Sequence, residues 1–246
     1  MNGFTGKGFC GSRDTGLLKT VAFVSMTLDH VGVVFFPEVA GFRILGRIAF
    51  PLFAYCLVIG YSLTGNVKKY LRRLFLFAIL SQPFYLPLFY LEALPALFDD
   101  ASYRTLGSAF QTLWENVYLN VGFELFLGLL ALDGLHRKRW GIFAAAVLLS
   151  CLPAVEYGLY GMMLILLIDG AQKLPEEKFA FTVGGYLLLG FFLSGFSAVD
   201  RQGFAILALP LMLIQTDSGI RLPRWLNYGF YPMHLALLYA LTILFS

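Results

Sequence analysis

Charge is what this chain has least of: Asp, Glu, Lys and Arg make up 13% of its 246 residues, against about 25% in soluble domains. That shortage excludes an ordinary soluble globular domain and points to an integral membrane protein. Cysteine is scarce as well. Cys10, Cys56 and Cys151 are odd in number and lack metal-ligand spacing, so a disulfide framework and a zinc site are both excluded. They read as small core residues. No Walker loop, Gly-rich dinucleotide turn, Cys/His zinc spacing or Gly-x-Ser-x-Gly elbow is found. Residues 1–16 are mixed and Gly-rich and carry no pattern of a cleavable signal. No repeat of fixed period and no low-complexity tract interrupts the chain. The net charge of +3 implies no nucleic-acid partner, because the positive residues fall at the ends of apolar segments.

What is abundant is apolar: 59% of the residues are hydrophobic and 25 are Phe. The apolar runs extend from end to end, which predicts one integral-membrane domain over 1–246, whose residues 1–16 form a cytoplasmic N-terminal segment. A bilayer-spanning helix needs about 20 such residues. Nine candidate spans emerge: Leu17–Phe36, Ile44–Leu63, Tyr70–Leu91, Val117–Leu135, Gly141–Ala154, Tyr157–Ile168, Phe179–Phe196, Gly203–Ile214 and Tyr228–Phe245. The fifth, sixth and eighth are short, as broken or re-entrant segments are. The predicted fold is therefore an all-α membrane protein, a polytopic helical bundle of about nine transmembrane helices.

Lys and Arg collect in cytoplasmic loops. With the N-terminus placed inside, only Arg43, Arg47, Arg104 and Arg201 of the 18 basic residues fall at outer ends. The outer side instead carries Glu38, Glu92, Asp99, Asp100, Glu115, Glu156 and Asp200. The N-terminus is therefore expected to be cytoplasmic. The longest outer loop, about Glu92 to Asn116, is acidic and holds Tyr103, Phe110 and Trp114. It reads either as a short helix on the outer surface or as a connecting loop with interfacial aromatics.

Ionisable residues inside apolar spans are costly and mark function by default. Asp29 and His30 lie deep in the first span, with His30 roughly 20 Å above Leu17 in a core ~30 Å thick. Histidine exchanges a proton near neutral pH and is the commonest general base. The competing reading is a His that packs helices together. Lys19 precedes His30 by eleven residues, about three helical turns, so both lie on one stripe ~16 Å apart. A cation at one surface aligned with a buried imidazole suits a long anionic ligand. Asp29 diverges from His30 by about 100°, so it is expected to pair with a cation of another helix. Arg43 and Arg47 share one face at the start of the second span. Arg47 is expected to pair with Asp29 or with Glu124, a carboxylate about two turns into the fourth span. Glu124 reads equally as a second acid–base group. His234 lies ~9 Å into the last span, where an aromatic-belt position is the plainer alternative. The run Lys68-Lys69-Tyr70-Leu71-Arg72-Arg73 is a topogenic cluster that also suits phosphate.

Several of these stretches resemble the TraX family of membrane acetyltransferases, named for a protein required to acetylate the N-terminus of conjugative pilin. They are Thr27-Leu28-Asp29-His30-Val31-Gly32, Arg43 through Ala54, Lys68 through Arg73, Leu127 through Leu132, Glu156 through Gly161, and Tyr231-Pro232-Met233-His234-Leu235. That family is in turn distantly similar to the acyltransferase-3 type membrane acyltransferases, which modify surface polysaccharides, and to the lysosomal enzyme that acetylates heparan glucosamine. The larger set has an Arg, ten residues, then a His on its first span. Here Lys19 takes the Arg position, and it lacks the bidentate fork of Arg.

The resemblance implies an acetyl-CoA donor bound from the cytoplasm and an acceptor, a pilin-like protein, a glycan or another amine, on the far side of a bacterial plasma membrane. On this reading Lys19, Lys68, Lys69, Arg72, Arg73 and His234 are expected to hold the donor, and His30, Asp29, Arg47 and Glu124 to carry catalysis. The alternative from another class is a transporter or channel using Asp29, His30, Glu124 and Arg47 as a relay. A non-catalytic assembly subunit is the third reading.

Overall fold

The computed structural model describes residues 11–90, 118–193 and 202–245. Over these residues the protein is all-helical, with one isolated parallel bridge between Leu119 and Val155. The helices are α1 (Thr15–Phe35), α2 (Ala40–Gly46), α3 (Ala49–Leu63), α4 (Val67–Phe89), α5 (Val121–His136), α6 (Trp140–Ser150), α7 (Gly158–Ala171) and α8 (Glu176–Leu193). A 3₁₀-helix (Gln202–Leu207) then leads into α9 (Ala208–Leu213), and α10 (Arg224–Phe245) closes the chain. Each of the nine apolar runs meets a helical segment, α2 with α3 making one and the 3₁₀-helix with α9 another. Among the described residues, two stretches are long and apolar enough to cross a membrane: Thr15–Phe35 and Ala40–Leu63. The fifth, sixth and eighth runs form short apolar helices. The outer loop from Glu92 to Asn116 lies outside the described residues.

Side chains fix where these helices start. Asp14 caps α1 by accepting from the Leu17 amide at 3.0 Å. Asn66 does the same for α4 through the Lys69 amide, and Asn120 for α5 through the Gly122 amide, both at 2.9 Å. Such caps satisfy amides that a helix leaves unpaired at its first turn. Pro51 sits in the first turn of α3, where its missing N–H removes no helical bond. Between α2 and α3 the helix breaks at Arg47-Ile48. The carbonyls released there are not left bare: the Ser25 hydroxyl of α1 donates to Leu45 at 2.5 Å and reaches Gly46 at 3.4 Å.

The chain forms two compact units. The first comprises Met1–Gly65 and Met163–Pro223. Here α1 packs on α2 and α3, and α8 packs on the 3₁₀-helix. Its core holds Leu18, Ala22, Phe50, Leu52, Tyr55 and Phe179. The Tyr55 hydroxyl donates to the Ser12 carbonyl at 3.0 Å, and its ring meets Phe179 edge-on. The second unit comprises Asn66–Met162 and Arg224–Ser246, so the division falls within α7. In it α4 packs on both α5 and α10, and α5 on α6. Leu74, Ala78, Leu129, Leu132, Tyr231 and Leu235 are buried there.

Candidate functional site

In the first unit, Asp29 of α1 faces the broken end of α2. Arg43 donates to Asp29 Oδ2 at 2.7 Å, and Arg47 donates to Oδ1 at 3.2 Å. The two arginines are one helical turn apart, so a single carboxylate serves both. The side chains are 14% (Asp29), 12% (Arg47) and 29% (Arg43) exposed, which places the Asp29–Arg47 contact well away from solvent. The sequence left the partner of Arg47 open between Asp29 and Glu124; the structure pairs it with Asp29.

Close helix approach makes this contact feasible. A Cβ on Gly46 would come within 2.1 Å of Asp29 Oδ1, so only glycine lets the carboxylate lie against the end of α2. Three residues after Asp29, Gly32 repeats the device. A Cβ there would meet that of Phe42 at 2.4 Å.

Arg47 has a further partner that sequence reasoning missed. Its Nη1 donates to Oε1 of Gln202, in the 3₁₀-helix, at 3.2 Å. The other end of that amide, Nε2, is buried and has no hydrogen-bond partner among the described residues. The available signal was a polar Asp-Arg-Gln run, residues 200–202, leading into an apolar stretch. His30 follows Asp29 on α1 and is half-buried, as is Lys19 on the same helix. The first unit thus brings together Asp29, Arg43, Arg47 and Gln202, with His30 and Lys19 on the helix that carries Asp29.

The second unit holds the remaining predicted residues. Glu124 of α5 is fully buried. Ser150 at the end of α6 donates to its Oε2 at 2.8 Å, while Oε1 has no hydrogen-bond partner among the described residues. His234 of α10 is buried, with Nδ1 3.1 Å from the Phe230 carbonyl and its ring stacked on Phe230. At the start of α4, Lys68, Lys69 and Arg72 are exposed. Arg73 lies over the Tyr228 ring at 5.8 Å. Nearby in this unit, Tyr85 donates to Glu156 at 3.3 Å, and the backbone turns through two successive positive φ angles at Tyr157 and Gly158. Among the described residues no group of His, Cys, Asp and Glu has the arrangement of a metal site.

The sequence profile described as TraX protein matches residues 14–242. The chain belongs to the TraX family. Among its relatives is a probable fimbrial assembly protein FimC, serogroup H1, of Dichelobacter nodosus, 32% identical over 90% of this chain and 92% of its own length. Protein TraX of Escherichia coli is 24% identical over 95% of this chain and 88% of its own. An uncharacterized protein of Rickettsia prowazekii (strain Madrid E) is 39% identical over 27% of this chain and 25% of its own. No solved structure matches. For this TraX-family chain, the profile covers the Asp29–Arg47 cluster, Gln202, Glu124 and His234 alike.

Proposed function

We propose that this TraX-family chain is a multi-pass, membrane-embedded acyltransferase that passes an acetyl group from cytoplasmic acetyl-CoA to an acceptor on the outer side of a bacterial plasma membrane. The observation that carries the proposal is the ion cluster of Asp29, Arg43 and Arg47 beside His30 on an apolar helix. Ions held inside an apolar segment are expensive and mark a working site. Apolar side chains left exposed on α4 (Leu76, Ile79, Leu80) and α8 (Phe181, Leu188, Leu189) support the bilayer reading. The Dichelobacter relative, named for fimbrial assembly, favours a pilin-like protein as acceptor over a glycan.

His30 is the proposed general base. The acceptor amine or hydroxyl attacks the thioester carbon, the carbonyl π pair moves onto oxygen, and His30 takes the acceptor proton. Collapse of the tetrahedral intermediate restores the carbonyl and breaks the C–S bond, and the proton on His30 passes to the departing CoA thiolate. Asp29 and Arg47 hold the α1–α2 geometry around this step. Glu124, fully buried with one oxygen unpartnered, is the acid–base candidate of the second unit. Lys19 on α1 is the proposed phosphate contact of the first unit. In the second, Lys68, Lys69 and Arg72 suit phosphate because they are exposed and, among the described residues, tied up by no salt bridge. His234 is proposed on the donor side of α10.

Calorimetry of the full chain in lipid with acetyl-CoA, together with transfer of labelled acetyl to a pilin-like peptide, tests the reading. Saturable donor binding and labelled product are expected. A well-folded chain that binds no acetyl-CoA would sink the proposal.

A further inference from the structure

Gln202 is the least explained polar residue near the ion cluster. Its amide could be placed either way round, but an arginine can only donate. The oxygen must therefore face Arg47, as observed at 3.2 Å, and the NH₂ group must point to the opposite side. There Nε2 is buried and meets no acceptor. A buried donor left unpaired destabilises the fold, because it gives up water and gains no partner, so native proteins keep few of them. A residue this poorly satisfied would be expected to relax away if it were free to move.

Gln202 is not free to move. A Cβ on Gly190 of α8 would come within 3.1 Å of the Gln202 carbonyl carbon and 3.2 Å of its oxygen, so α8 lies directly against the Gln202 backbone. The next residue, Gly203, is buried. The 3₁₀-helix contacts α2 as well as α8. On its other side the side chain is held through Arg47 by Asp29. Backbone packing and a charge-assisted hydrogen bond thus hold one amide donor in place, in the cluster built on Asp29, the residue before His30. A fixed, dehydrated donor with no hydrogen-bond acceptor among the described residues is what an oxyanion site requires.

We infer that Gln202 is a catalytic residue, with Nε2 donating to the acyl carbonyl oxygen of the donor as that oxygen gains charge. The inference rests on the acyl-transfer reading and adds the group that meets the charge. When the acceptor lone pair forms the new bond to the carbonyl carbon, the π electrons become a lone pair on oxygen. Nε2–H accepts no electrons and loses no proton; it hydrogen-bonds that oxygen until the C–S bond breaks. Arg47, by holding the amide oxygen, is a positioning residue for Gln202.

The test separates donating from holding. Gln202→Glu keeps an oxygen facing Arg47 but replaces the donor with a second acceptor, whereas Gln202→Met removes both. Acetyl transfer, acetyl-CoA affinity and thermal midpoint are measured on the full chain in lipid. Both variants are expected to lose roughly 10²–10³-fold in kcat, as other enzymes do on losing one oxyanion donor, with donor affinity within about threefold of wild type on the differential-binding argument. Gln202→Glu is expected to melt no lower than wild type, because Glu pairs with Arg47. Wild-type kcat in Gln202→Glu would overturn the inference, since then only the contact with Arg47 matters. Loss of donor affinity with kcat intact at saturation would also overturn it. If the wild-type chain neither binds acetyl-CoA nor transfers acetyl, the acyltransferase reading falls and this inference falls with it.

Discussion

Asp29 is shared by two guanidiniums, and that sharing ties α1 to the end of α2: Arg43 meets Oδ2 at 2.7 Å, and Arg47 meets Oδ1 at 3.2 Å and Oδ2 at 3.4 Å. Breaking a buried ion pair by removing one partner typically costs about 3–5 kcal/mol, because the other ion is left uncompensated. Mutagenesis of Asp29 or Arg47 therefore mixes folding with chemistry, and His30 and Lys19 give cleaner tests. His30→Ala should lower acetyl transfer by about 10²–10⁴-fold, the usual contribution of a positioned base, while leaving acetyl-CoA binding intact by calorimetry. Wild-type turnover by a folded His30→Ala chain would remove the base from the mechanism. Lys19→Glu should weaken acetyl-CoA binding, and Lys19→Arg should preserve or tighten it, since the guanidinium fork meets phosphate with two hydrogen bonds. Unchanged affinity in Lys19→Glu would leave Lys19 as a topogenic charge only. At this scale the sequence was informative about charge and silent about amides. Asp29, His30, Arg47 and Glu124 stand out because each is ionisable in an apolar run. Gln202 does not, because its importance lies in an unpaired N–H that only packing reveals.

The helices themselves were legible, since each apolar run became a helical segment, and their breaks were only half so. The second run breaks at Arg47-Ile48, just ahead of Pro51. Ser25 closes it from another helix, and a hydroxyl in an apolar run carries no sequence signal of that role. Glycine spacing shows the same limit: Gly41 and Gly46 look alike in sequence, but the structure separates them. Gly41 has open space where a Cβ would go, whereas Gly46 would collide with Asp29. Gly41 lies in the first turn of α2, so Gly41→Ala should leave the thermal midpoint unchanged or raise it slightly. Gly46→Ala should lower the thermal midpoint and disrupt the Asp29 ion pairs; equal midpoints for the two variants would refute this packing argument. A second element-scale prediction concerns the α1 N-terminus, which lies outside the apolar run. There the Asp14 carboxylate also accepts from the Ser218 amide at 2.7 Å and the Thr216 hydroxyl at 3.3 Å. Hydrogen bonds from Ser218, foremost, and from the Leu17 amide hold its pKa down from 3.8 to about 2. A carboxylate whose folded pKa is depressed stabilises the fold above its unfolded value and loses that contribution as pH falls through the folded one. The difference in thermal midpoint between wild type and Asp14→Ala should thus be constant above about pH 5 and shrink from about pH 4 to pH 2. A difference that stays constant down to pH 2 would show that the carboxylate charge is not what pins residues 216–218.

For the molecule as a whole, sidedness decides what kind of reaction the chain performs. In the proposed reading, the bias of Lys and Arg toward one set of segment ends would put the N-terminus, and Lys19 with it, on the cytoplasmic side. His30 lies eleven residues further along the same helix, or ~16 Å at 1.5 Å per residue, past the middle of a hydrocarbon core ~30 Å thick. An acyl-CoA anchored by its phosphates near Lys19 would have to extend its pantetheine arm up α1 to bring the thioester to His30. On that proposal the acetyl group would cross most of the bilayer while the nucleotide stayed behind, and the acceptor would meet it from outside. Such an enzyme exports an acyl group rather than a whole substrate, so its acceptor need never enter the cytoplasm. Inside-out vesicles separate this from the simpler alternative. Labelled acetyl-CoA is added to the medium, which contacts the cytoplasmic face, and a pilin-like peptide is either sealed within or added alongside the donor. Product from the sealed peptide alone is the expected result, because only that peptide faces the outer end of α1. Product from the peptide added with the donor, and none from the sealed one, would mean that both substrates reach His30 from the cytoplasm. The ~16 Å between Lys19 and His30 would then be the depth of a cytoplasmic pocket and not the length of a path across the membrane.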